Sequence, residues 1–123
     1  MSRKIGSEAE NLVAAYLKNK GFQILEQNWS CRRGEIDLIA SKLSKLYFVE
    51  VKFRSSNQFG SGLESLTPSK LKKIAGAALF YLQQNKKEKN DFSFAAALVE
   101  EKQGEKRIEF FEFPLDLPRN SYY

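Results

Sequence analysis

Apolar side chains at Ile5, Ala9, Leu12, Val13, Tyr16 and Leu17 recur at offsets of three and four. That spacing lines one stripe of an amphipathic helix over residues 5–17, and Gly21 supplies its stop. Residues 22–29 then read as a strand, and residues 30–34 as a turn. EIDLIA (35–40) and LYFVEVKF (46–53) are strongly β-prone, and the short polar stretch 41–45 between them predicts an antiparallel hairpin. The next segment, RSSNQFGSGLES (54–65), is rich in Gly and Ser and reads as a functional loop. In Thr67-Pro68-Ser69 a second helix opens, with Thr67 as N-cap and Pro68 at the first helical position. Its buried stripe is Leu71, Ile74, Ala75, Ala78 and Leu82. After the charged loop 86–91, residues 92–99 and 107–113 read as two further strands, and Pro114 and Pro118 end regular structure.

The predicted order is αβββαββ, an α/β arrangement in which helices cover a central mixed sheet. A ferredoxin-like topology is the competing arrangement. The 123 residues suit one domain over 1–116, with 117–123 as a C-terminal tail, and ten Phe supply enough apolar material for its core.

Composition narrows the chemistry. There is no histidine, so catalysis would have to run on carboxylates, Lys, Tyr, Ser or the lone Cys31. One cysteine forms no internal disulfide and cannot build a cysteine-based zinc site, which fits a reducing cytoplasm. No run approaches the roughly 18 apolar residues of a membrane span, so a soluble, unexported protein is expected. Twenty Lys and Arg against fifteen Asp and Glu give a net charge of +5, which favours a polyanionic partner.

In an extended strand Glu50 and Lys52 project together, while Val49, Val51 and Phe53 project to the other side. A hairpin closing symmetrically over Leu43 and Ser44 sets Asp37 opposite Glu50. Like charges so placed require a compensating cation, either Lys52 or a divalent metal, and an oxygen-only site suits Mg²⁺ or Mn²⁺. The alternative is an ordinary solvated polar face. Against it, the hairpin reads as central and covered on both sides, where charges need partners. Glu8 and Glu10 flank the apolar stripe of the first helix, and helical geometry does not choose between them as an accessory acid. Glu35 shares the face of Asp37 and is either a further ligand or a cap for the preceding turn. Arg32, Arg33, Arg54, Lys70, Lys72 and Lys73 bracket the acids in sequence and are candidates for phosphate contacts. Phe59 is a candidate for base stacking, whereas Trp29 and Tyr16 read as core or boundary residues.

The blocks GSEAENLVAAYLKNKGFQILEQNW, RRGEIDLIA, FVEVKFRS and QFGSG together resemble the YraN-like bacterial proteins, across roughly residues 4–82. By resemblance these belong to the PD-(D/E)XK, restriction-endonuclease-like nuclease superfamily. The resemblance implies Asp37 as the motif aspartate, Glu50 and Lys52 as the (D/E)XK pair, and Glu10 as an accessory acid. It further implies a Mg²⁺- or Mn²⁺-dependent endonuclease acting on DNA, including branched or structured DNA. Paired cutting would require a twofold homodimer. Ile36 stands where the superfamily name has proline, as is usual in YraN-like proteins. Ser93 stands where an aspartate is expected. That departure keeps open a second function, a nucleic-acid-binding module without turnover. A third is a protein-interaction subunit whose charge is incidental.

Overall fold

In the computed structural model, residues 2–55 and 66–118 are described, the side chains of residues 2–6 and 55 excepted. They form α1 (Ser2–Asn19), β1 (Gln23–Cys31), β2 (Gly34–Lys42), β3 (Lys45–Ser55), α2 (Pro68–Gln84), β4 (Asp91–Lys102) and β5 (Glu105–Phe113). The order agrees with the expected αβββαββ, and the fold is α/β. The strands lie in sequence order, β1-β2-β3-β4-β5. All neighbours are antiparallel except β3 and β4, which are parallel because α2 carries the chain back between them. This sequential order excludes the ferredoxin-like topology.

Each helix covers one face of the sheet. Ala9, Val13, Ala14 and Leu17 of α1 pack on Leu38, Ala40, Val49, Ala95, Ala97 and Val99, a floor of small and β-branched side chains. The α2 face is aromatic instead. Phe48, Phe94 and Tyr81 join Ile36, Ile39, Leu46, Ile74 and Leu82, and Trp29 packs on Tyr81 with ring centroids 5.3 Å apart. Strand alternation produces this division, since Phe92 and Phe94 face α2 while Ala95, Ala97 and Val99 face α1.

Local chemistry sets the boundaries. Gly21 adopts a left-handed φ of 94° and donates to the Lys18 carbonyl, while Phe22 donates to that of Leu17, the Schellman pattern that closes α1. Thr67 caps α2 through its hydroxyl, which accepts from the Lys70 amide at 3.2 Å. Two turns are tighter than the sequence suggests. Only Arg32 and Arg33 separate β1 from β2, so Ser30, Cys31 and Gly34 belong to strands. Only Leu43 and Ser44 separate β2 from β3, so Ser41, Lys42 and Lys45 do too. Both turn residues have positive φ, 51° and 68°, as a type I′ hairpin requires.

Gly34 is fixed by a close approach. A Cβ there would lie 2.8 Å from the backbone carbonyl oxygen of Lys73 in α2. Gly34→Ala is therefore expected to push α2 off the sheet and destabilise the chain by about 1–3 kcal/mol, measured by urea denaturation.

Candidate metal and phosphate site

The β2–β3 ladder closes as expected over Leu43 and Ser44, but its last pair is Leu38 with Val49. Asp37 and Glu50 are not a ladder pair. Ile36 packs on the α2 side and Leu38 on the α1 side, so strand alternation slips by one residue at Asp37. The neighbouring strand is irregular at the same level. Asn28, between the pairs Gln27/Leu38 and Trp29/Ile36, has a φ of 53°. With the backbone displaced, the Asp37 carboxylate accepts a hydrogen bond from the Val51 amide at 2.8 Å. One carboxylate oxygen thus takes the place of a ladder carbonyl and fixes Asp37 against the strand that carries Glu50 and Lys52.

These groups open onto a cleft of about 480 Å³ that holds Glu10, Glu35, Asp37, Glu50, Lys52, Lys70 and Lys73. Here the structure decides what helical geometry left open. Glu8 is exposed, whereas Glu10 is 8% exposed and turned into the cleft. Among the described residues its buried Oε1 has no hydrogen-bond partner, an arrangement that suits binding of a cation or a donor. Glu50 is 9% exposed, and Glu35 lies at the solvated rim.

Electrostatics follow from burial and crowding. Desolvation, then the charge of Asp37, push Glu50 up to about 8. Desolvation also raises Asp37 and Glu10, while the Val51 amide and the Lys52 ammonium partly offset the rise at Asp37. Lys52 is lowered by burial and by neighbouring Lys70, against the pull of Glu50 and Asp37. Without a bound cation, the folded chain holds a proton on Glu50 that the unfolded chain would release. That share of stability is complete below about pH 4.5 and is lost as pH climbs through about 8. Metal-free protein is therefore expected to lose stability, on the order of a few kcal/mol, between pH 5 and pH 9. Glu50→Gln should flatten that profile, as read from melting curves across the range.

A divalent cation fits this donor set. Four carboxylates, Glu10, Glu35, Asp37 and Glu50, share one cleft, and among the described residues one oxygen of Glu10 has no partner. Among the described residues, no three acids form a ready-made metal cage. Mg²⁺ does not need one, since it commonly takes one or two carboxylates and fills its shell with water and phosphate oxygens.

Of the basic candidates, Lys70 and Lys73 line the cleft. Arg54 does not. It pairs with Glu100 in a separate depression shared with Arg107. Arg33 lies with its aliphatic stem 3.7 Å from where a Cβ on Gly76 would stand, against α2 and outside the cleft. Arg32 and Lys72 line other depressions. Phe59 lies outside the described residues. Asn28, which sequence reasoning did not single out, sets its side chain against Glu10. The available signal was an asparagine inside a β-prone run, since Asn is depleted in strands and tolerates positive φ.

Comparison with known proteins matches residues 9–108, a span that includes every acid of the cleft, to the model of "Uncharacterised protein family UPF0102". The chain belongs to that family. Relatives within UPF0102 include a protein of Marinomonas sp. (strain MWYL1), 44% identical over 79% of this chain and 76% of its own length. A UPF0102 protein of Syntrophomonas wolfei is 39% identical over 88% of this chain and 94% of its own. One from Neisseria meningitidis is 39% identical over 81% and 87% respectively. The resemblance to YraN-like proteins thus holds at the level of the family. Ser93, the position at which this UPF0102 member departs from the expected aspartate, pairs with Tyr47 on β3. That is three rungs, about 10 Å, before the rung of Glu50 and Ala96, so position 93 stands apart from the cleft acids. Among the described residues, no helix is long and apolar enough to cross a membrane.

Proposed function

We propose that this protein is a metal-dependent phosphodiesterase of the PD-(D/E)XK type that cleaves DNA, including branched or structured DNA. The observation that carries the reading is the convergence of Asp37, Glu50, Glu10 and Lys52 in one cleft, with Lys70 and Lys73 at its wall. Asp37 and Glu50 would hold Mg²⁺ or Mn²⁺, with Glu10 as accessory acid. The chemistry such a cation supplies when bound is polarisation of the phosphate and acidification of a water. Glu50 gives up its proton as the site loads. Lys52, drawn in by the two acids, orients the attacking water or neutralises the charge that develops on phosphate. Lys70 and Lys73 hold the substrate's phosphates at the start of α2. As water oxygen bonds to phosphorus and gives its proton to solvent, the bond to the leaving sugar oxygen breaks, that oxygen takes up a proton, and a phosphomonoester end and a hydroxyl end remain.

The test is cleavage of linear, flapped and four-way DNA by purified protein with Mg²⁺, with Mn²⁺ and with EDTA. Metal-dependent products that disappear in Asp37→Asn support the reading. DNA binding without cleavage under every condition would sink it in favour of a binding module. Neither binding nor cleavage would point to a protein-interaction role.

A further inference from the structure

Six of the twenty basic residues gather at the end of the sheet away from the acid cleft. Lys42 and Lys45 flank the β2–β3 turn, and Lys20 follows α1 at the same end, where β1 begins opposite Ser41. The segment carrying Lys86, Lys87 and Lys89 is tied there too, because the Asn90 side-chain amide donates to the Ser44 carbonyl at 3.1 Å. Glu88 and Asp91 stand in the same segments, and Glu112 pairs with Lys45 at 3.5 Å. Lys20, Lys42 and Lys45 each lie over an aromatic ring, with ammonium-to-centroid distances of 5.4, 5.1 and 5.2 Å. Their stems are therefore held in place while their charges remain at the surface.

A second observation marks the same end. Leu43, at the tip of the turn, is 92% exposed, and its φ of 51° is one that a bulky side chain rarely adopts. Gly or Asn would relieve that conformation, and no described residue buries the leucine to offset it.

We propose that the hairpin end is a second DNA-binding surface, its lysines on backbone phosphates and Leu43 set as an apolar wedge against the bases. The proposal rests on the nucleic-acid reading of the cleft. It adds a length requirement, because Glu50 and Lys45 are five residues apart on one extended strand, about 17 Å. A duplex touching both ends must span about five base pairs. Helix α2 joins the two ends, with Lys70 and Lys73 in its first turns and Lys86 just past its last. A single apolar residue gives little membrane insertion, so a lipid surface is the weaker fit.

The test is fluorescence-anisotropy binding of a labelled duplex several times longer than that span, in EDTA across a salt series, with anionic vesicles in parallel. Lys20→Glu/Lys42→Glu/Lys87→Glu is expected to weaken DNA binding at least about tenfold and make the salt slope shallower by about two to three. Leu43→Gly should relax the turn, so that its melting temperature rises while DNA affinity falls about threefold. A merely structural role for Leu43 would not separate those readouts. Unchanged affinity and slope in the lysine variant would overturn the proposal, as would wild-type protein that binds vesicles but not DNA, or neither. Binding that depends on these lysines without any cleavage would sink the hydrolase reading and leave this one standing.

Discussion

Lys52→Ala is expected to lower the proposed metal-dependent cleavage by about 100- to 1,000-fold, the range seen when one preorganised electrostatic donor is removed from a phosphate- or oxyanion-stabilising site. The loss should appear in the turnover rate under saturating DNA, because Lys70 and Lys73, the proposed phosphate contacts, remain at the cleft wall. Lys52→Arg keeps the charge, but the larger planar group does not reproduce a compact ammonium, and it should recover only part of the rate. Glu50→Gln should abolish the proposed cleavage and at the same time stabilise the fold at high pH. It removes a carboxyl that burial and Asp37 resist ionising, so above pH 8 the inactive variant should melt higher than the wild type. Single-turnover cleavage together with melting curves at pH 8.5 checks both. A Lys52→Ala enzyme of unimpaired rate would remove that side chain from the mechanism.

The largest effect on stability is expected at Phe48. This side chain is 1% exposed and lies within 6.0 Å of the rings of Tyr81, Phe92 and Phe94, in the centre of the α2 face. Phe48→Ala would empty that centre and is expected to destabilise the chain by about 3–5 kcal/mol, read from urea denaturation. On the other face Val49→Ala should cost less, about 1–2 kcal/mol, since α1 already rests on alanines there.

The sequence shows why parts of this molecule were readable in advance. Thr67-Pro68 marks a helix start because both residues act through local backbone chemistry, and the cap forms as expected. The alternation in FVEVKF places Glu50 and Lys52 on one face, because β3 stays in regular parallel register with β4 past the end of its ladder with β2. Asp37 is the contrasting case. Its presence near Glu50 was legible, but the slip that turns its carboxylate toward the Val51 amide depends on the neighbouring strand, where Asn28 adopts positive φ. A period-two pattern holds no record of such cross-strand adjustments. The choice between Glu8 and Glu10 likewise needed the rotation of α1 on the sheet, and the pairing of Arg54 with Glu100 needed the parallel register of β3 and β4. Charge counted along a chain says how much cation there is. It does not say which end of a sheet collects it.

The parallel pairing of β3 with β4 also sets an order of assembly. The first helix and the β1–β2–β3 meander use short connections, whereas β4 pairs with β3 across α2, and that longer closure is expected to be the slower event. Glu10, Asp37, Glu50 and Lys52 all lie before the crossover, so a chain emerging from the ribosome can gather its acids before its sheet is complete. If the proposed cation binds these acids, adding it during refolding should accelerate an early phase and leave the docking of the last two strands at its own pace.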